Sequence, residues 1–320
     1  MKRLIASYVA SFARWICRSL HSLVVPQASL AGCAARVASL VCRKLRLLVC
    51  RSLRFASLPQ ASLASLSQVS LAGFVVLLLL VLDGATASAQ EVICHRGYWD
   101  TEGSAQNSIR SLIKADSIGA WGSEFDVWMT ADGVLVVNHD ETFEGITIET
   151  AKWKQLKNMR LKNGEALPTL EQMLECGKSL KTRLIVEMKP HTKREQELEA
   201  ARKIVKMVKE MGLEERVEYI TFSYQGMKNL KELAPDGTPV YYLNGELSPS
   251  QLVELGVAGI DYSIGVMRDH PQWIDEAHSL GMKVNVWTVN SDRDMEWCIN
   301  YGVDFITTNA PERLQNMLEP

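Results

Sequence analysis

From residue 91 onward, short apolar runs alternate with stretches whose apolar positions recur three and four residues apart. The runs fall at Val92 to Cys94, Ser123 to Val127, Val134 to Val137, Arg183 to Met188, Val217 to Phe222, Val240 to Leu243, Gly259 to Tyr262, Lys283 to Trp287 and Phe305 to Thr307. A run of three to six apolar residues is the length of a buried strand, and the longer spacing is that of one helix face; Leu198, Ala201, Val205 and Val208 form such a stripe. Gly119, Gly212, Gly256, Gly281 and Gly302 each sit between a helical pattern and the next apolar run, where a helix C-cap needs positive φ. Repeated βα units of this kind predict the α/β class with a parallel sheet, and about eight of them fit a closed cylinder, the TIM (β/α)8 barrel.

The first ninety residues follow another rule. Met1 to Leu82 holds ten Lys or Arg and no Asp or Glu, Asp83 being the first acid. Subtracting the ten bases and one acid of residues 1–89 from totals of 35 and 37 leaves 25 basic and 36 acidic residues, a net charge of about −11 for the remainder. That charge argues against nucleic acid as a partner. Gly73 to Leu82 is an uninterrupted apolar run and Ala87-Ser88-Ala89 a small-x-small site, so residues 73–89 read as a signal-peptide core with cleavage near Ala89-Gln90. The run is too short for a stable membrane span, and none is expected in residues 90–320. Secretion or export to a periplasm is the expected destination. Residues 1–72 carry an imperfect repeat: Pro26-Gln27-Ala28-Ser29-Leu30-Ala31 returns at Pro59-Gln60-Ala61-Ser62-Leu63-Ala64. They read as a basic low-complexity leader, disordered or translated from a misassigned start, with a membrane-surface helix as the alternative. Three widely spaced cysteines after residue 90 (Cys94, Cys176, Cys298) make neither a disulfide framework nor a metal-ligand spacing.

In a barrel of this kind, functional groups belong at the C-terminal ends of strands. His95, Arg96 and Gly97 follow the first run, Glu124 and Asp126 lie in the second, His139 and Asp140 follow the third, and Glu187 and Lys189 end the fourth. Positions two apart on a strand share a face, so Glu124 and Asp126 converge opposite Phe125 and Val127, as do Glu187 and Lys189 opposite Val186 and Met188. Like charges converging at one rim repel unless a cation lies between them, and carboxylates without a Cys or His cluster suit Ca²⁺ or Mg²⁺ better than zinc. Taken singly, the same acids could be exposed groups or salt-bridge partners. His95 and His139 are the histidines that directly end apolar runs, placed for general acid/base work; His21, His191, His270 and His278 are read as structural. The guanidinium fork of Arg96 could hold a phosphate oxygen, Lys189 could supply a point charge there or pair with the acids, and Gly97 would permit a sharp turn or a close backbone approach. Trp287 ends a strand, where it walls the alcohol side of a site or simply packs. Asn107 and Asn290 are weaker candidates.

In order, His95-Arg96-Gly97, Gln106-Asn107-Ser108, Glu124-Phe125-Asp126-Val127, Thr130-x-Asp132-Gly133, Val137-x-His139-Asp140, Leu167-Pro168-Thr169-Leu170, Glu187-x-Lys189 and Val286-Trp287-Thr288-Val289-Asn290 closely resemble the glycerophosphodiester phosphodiesterase family over residues 92–318. The resemblance implies a TIM barrel that hydrolyses a small-molecule glycerophosphodiester to an alcohol and glycerol 3-phosphate with one divalent cation. It implies His95 and His139 as the acid/base pair, Glu124, Asp126 and Glu187 as metal ligands, and Arg96 and Lys189 as phosphate contacts. A cyclic phosphate, opened by water, is the implied intermediate. The chain departs from the pattern at Ala105-Gln106-Asn107, usually Pro-Glu-Asn, and at Thr308-Asn309, usually Thr-Asp; each loses a negative charge. It also has a short segment between Asp140 and Leu167, which predicts a reduced insertion after the second strand and an open mouth. Two other readings remain: a lyase that stops at the cyclic phosphate, as in the similar phospholipase D toxins, and a non-catalytic binding protein of the same fold.

Overall fold

The computed structural model describes residues 90–319. The leader, signal-peptide core and cleavage site expected at 1–72 and 73–89 lie outside the described residues. From the first strand the order is β1 (Glu91–Cys94), α1 (Ile109–Ser117), β2 (Gly122–Met129), β3 (Leu135–Val137), β4 (Thr142–Phe143), β5 (Ile146–Thr147), α2 (Trp153–Leu156) and α3 (Leu170–Gly177). It continues with β6 (Arg183–Met188), α4 (Arg194–Glu210), β7 (Val217–Thr221), α5 (Tyr224–Leu233), β8 (Val240–Tyr242), α6 (Pro249–Glu254) and β9 (Gly259–Ser263). The last elements are α7 (Ile264–Asp269), α8 (Gln272–Ser279), β10 (Lys283–Trp287), α9 (Asp292–Tyr301), β11 (Phe305–Thr308) and α10 (Pro311–Leu318).

Strands β1, β2 and β6 to β11 are parallel, and β1 pairs with both β11 and β2, closing the cylinder. The five punctuating glycines all take positive φ, Gly302 at 69° as the left-handed C-cap of α9. Side chains alternate as the period of two requires. Phe125, Val127, Leu184, Val186, Tyr219 and Ile260 pack outward against the helices, while Ile93, Ile185, Ile220, Tyr241 and Phe305 fill the cylinder. Phe125 is fully buried; its truncation to Ala would cost about 3–5 kcal/mol. Among the described residues no helix is long and apolar enough to cross a membrane.

Of the nine apolar runs, one stays out of the barrel. β3 pairs antiparallel with the end of β2, Val127 opposite Val137 and Met129 opposite Leu135. Its link to β2 is the tight turn Thr130 to Val134, in which Gly133 takes φ 80° and Thr130 accepts from Val134 N. A parallel neighbour needs a crossover of a dozen or more residues, so this turn allows only the antiparallel arrangement. β3, the β4–β5 hairpin and α2 form the small insertion expected after the second strand. It has its own apolar cluster of Trp128, Val136, Ile148, Leu156 and Leu167.

Candidate active site

The carboxylates of Glu124, Asp126 and Glu187 meet at the barrel's C-terminal rim. β2 and β6 are in register with Asp126 beside Glu187, and one oxygen from each of the three acids lies within 4.8 Å of the others. All three are buried. Burial, then the charges of Asp126 and Glu187, push Glu124 well above the usual carboxylate range, and burial with Asp126 pushes Glu187 up to about 7. Burial acts on Asp126 in the same sense, but Lys189, His139 and the Asn107 amide outweigh it and hold that group below its ordinary value. Lys189 Nζ donates to Asp126 Oδ1 at 2.9 Å and to Glu187 Oε1 at 2.7 Å. Lys189 is thus paired with two of the three acids.

Glu124 Oε2 accepts from Arg96 N at 2.7 Å, whereas Oε1 is sealed from solvent with no hydrogen-bond partner. A buried carboxylate oxygen left without a donor, facing two more acids, is what a hard cation with oxygen ligands would satisfy. These residues therefore fit a divalent ion. Arg96 and Asn107, both non-glycine residues at φ 60°, shape this corner. The Asn107 amide donates to Asp126 Oδ2 at 2.8 Å and accepts from Asp126 N at 3.1 Å, locking that side chain. Gly97 takes φ 75°, and a Cβ there would collide with the side chain and backbone of Ser111 on α1, so both the turn and the close approach expected of it are present. Arg96 donates from Nη1 to Gln106 Oε1 at 2.8 Å and lies 3.8 Å from Asp126 through Nε.

The two imidazoles line one cavity with Glu124 and Glu187. His95 Nδ1 lies 2.8 Å from Asn309 Oδ1, which also accepts from Trp99 Nε1 at 3.1 Å. An indole nitrogen only donates, so the Asn309 oxygen is fixed as an acceptor and His95 carries its proton on Nδ1. Nε2 is left with its lone pair. Burial and the Arg96 charge lower the His95 pKa to about 4, against the opposing pull of Asn309 and Asp126. His139 donates from Nδ1 to Asp140 Oδ1 at 2.7 Å, leaving its own Nε2 to exchange protons. His191, read as structural, is buried: its Nε2 accepts from Met129 N and its Nδ1 pairs with the Lys189 carbonyl.

Trp287 lines the cavity, with its ring edge-on to Phe222 at 5.4 Å and Nε1 donating to the Asp261 carbonyl. Asn290 works at one remove, accepting from Asn309 N at 2.9 Å and so holding the residue that holds His95. Asp261, Asn285 and Thr307 also face the cavity, and sequence reasoning missed them. Each sits in a short, mostly apolar strand, and only the alternation of inward positions along β9, β10 and β11 could have marked it.

The sequence model of the Glycerophosphoryl diester phosphodiesterase family matches residues 95–313, which includes every group just described. The chain belongs to this family. A glycerophosphodiester phosphodiesterase from Caldanaerobacter subterraneus is 30% identical over 240 residues, 71% of this chain and 97% of that protein. The crystal structure of a glycerophosphodiester phosphodiesterase from Parabacteroides distasonis is 52% identical, covers 72% of this chain and 97% of its own, and superposes with a TM-score of 0.71. A phosphodiesterase from Oleispira antarctica, solved in complex with the product sn-glycerol-3-phosphate, shares the fold at 23% identity and a TM-score of 0.63, over 72% of this chain and 98% of that one. The chain is thus an enzyme, a phosphodiesterase, and the non-catalytic reading falls away.

Proposed function

We propose that this phosphodiesterase hydrolyses glycerophosphodiesters to an alcohol and glycerol 3-phosphate, with Glu124, Asp126 and Glu187 holding one Ca²⁺ or Mg²⁺ ion. The observation that carries the reading is the sealed, partnerless oxygen of Glu124 inside a three-carboxylate cluster, beside two imidazoles that each keep one nitrogen free. A bound divalent ion would polarise a phosphoryl oxygen and offset the crowded negative charge. His95, held with an unprotonated Nε2, accepts the proton of the attacking glycerol hydroxyl. His139 delivers a proton from Nε2 to the departing alkoxide as its bond to phosphorus breaks. Water then opens the cyclic phosphate with the two roles exchanged, restoring both imidazoles. Arg96 stands beside the cluster as the cation for a non-bridging oxygen. The apolar run at Gly73 to Leu82 followed by Ala87-Ser88-Ala89 supports work outside the cytoplasm, after cleavage near Ala89-Gln90.

The test is turnover of glycerophosphocholine by the full chain with Ca²⁺ or Mg²⁺ and with chelator, read by ³¹P NMR. Metal-dependent release of glycerol 3-phosphate is the expected result. A cyclic phosphate that accumulates and persists would instead make the enzyme a lyase, and turnover indifferent to chelator would remove the metal from the scheme.

A further inference from the structure

Beneath the carboxylate cluster, the cylinder is divided. On one side Ile185 and Ile220 give the cavity an apolar wall, while Asp261, Asn285 and Thr307 face it from three consecutive strands on the other. Barrel interiors are ordinarily filled with branched apolar side chains, and burying polar groups here is costly unless they are hydrogen-bonded. Two of the three are fully engaged with one another. Asn285 Nδ2 donates to Asp261 Oδ1 and to Thr307 Oγ1, both at 2.9 Å, and Asn285 Oδ1 lies 3.1 Å from Thr307 Oγ1. Asp261 is the exception: it is 2% exposed, yet among the described residues its second oxygen, Oδ2, has no hydrogen-bond partner. It is not a member of the metal cluster.

We infer that Asp261, braced by Asn285 and Thr307, is a specificity-determining group that binds a hydroxyl of the substrate's polyol half at the floor of the cavity. The inference rests on the reading of the site as a glycerophosphodiesterase. The bracing bond fixes Oδ1 and aims the carboxyl, leaving Oδ2 for a ligand. Burial raises the Asp261 pKa to about 8, so near neutrality the group is largely protonated and Oδ2 can donate as well as accept. A hydroxyl matches that dual character, whereas a phosphate oxygen would find no fixed positive charge there. Phosphate is therefore kept at the rim beside Arg96, the polyol points inward, and the leaving alcohol faces the opening.

Calorimetric titration of the full chain with Ca²⁺ tests this, using glycerol 3-phosphate, its two monodeoxy analogues (one lacking the terminal hydroxyl, the other the secondary one) and inorganic phosphate. The wild type should prefer glycerol 3-phosphate to one of the analogues by roughly 10- to 100-fold, because that analogue leaves a buried polar group unpaired. Asp261→Leu should reduce that preference to about twofold or less, with inorganic phosphate affinity nearly unchanged. A wild type that binds both analogues as tightly as glycerol 3-phosphate overturns the inference, as does a Leu variant that keeps the preference. Should the Leu variant fail to fold, a crystal structure of the wild type with glycerol 3-phosphate decides: a hydroxyl within about 3.2 Å of Oδ2 is expected, and a polyol turned toward the rim defeats it. Preference without turnover of any glycerophosphodiester would count against the proposed activity, and turnover without preference against Asp261.

Discussion

Asn309 Oδ1 lies 2.8 Å from His95 Nδ1, across 214 residues of chain, and sets which nitrogen of that imidazole is basic. The similar family usually carries Asp at this position. A carboxylate there would favour the imidazolium, so Asn309→Asp should raise the His95 pKa above its present value near 4. If unprotonated His95 is the base, the acid limb of kcat/KM moves to higher pH in the variant. NMR titration of the imidazole with a pH-rate profile would check both, and an unmoved limb would remove His95 from the proton-accepting role.

His139→Ala should separate activity from stability. Its side chain is 38% exposed at the rim, so the melting temperature should barely change, while kcat falls by roughly 10²- to 10⁴-fold, the contribution of one acid/base group. His95→Ala should lower kcat over the same range. Melting curves and initial rates on glycerophosphocholine are the measurements; full activity in either variant contradicts the assignment.

The cluster's crowding makes its own prediction. With chelator at neutral pH, Glu124→Gln should be at least as stable as wild type, because it removes a carboxyl whose ionised form burial and two neighbouring acids disfavour, while its amide oxygen can still accept from Arg96 N. Ca²⁺ or Mg²⁺ should stabilise the wild type, by about 2.7 kcal/mol when the ion stands at a hundred times its Kd, and should do so far less in the variant. Equal thermal shifts in the two proteins would place the ion elsewhere.

Asp261 should leave a signature in stability against pH. Its carboxyl titrates near 8 when folded and near the ordinary 3.8 when unfolded, so the folded state holds a proton that the unfolded state releases. That contribution is complete below about pH 4 and is lost as pH rises toward 8. Measured with chelator, Asp261→Asn should therefore gain on wild type as pH increases through that window, by on the order of a few kcal/mol. A difference that stays flat with pH would mean the carboxyl is ionised when folded.

The βα alternation, the capping glycines and the shared face of Glu124 and Asp126 were legible because each is a short-range consequence of backbone period. What escaped were relationships between strands. Asp261 and Asn285 are 24 residues apart, each in the middle of its own strand, so their partnership exists only through the register of β9 on β10. β3 carries the same apolar pattern as a barrel strand, and the pattern says nothing about direction. The turn at Gly133 did say it, in its length. Lys189 could be placed at the rim from sequence, but its choice between phosphate and acids depends on the approach of β2 to β6.

The two proton-handling groups stand on different foundations. His95 leaves β1 within the barrel, whereas His139 follows β3, and its carbonyl accepts from Trp128 in the insertion's separate apolar cluster. The spacing between the imidazoles therefore depends on how β3 and the insertion's apolar cluster pack on the end of β2. Weakening that packing, for instance by Ile148→Ala, should detune catalysis while the cylinder and its cation cluster stay intact.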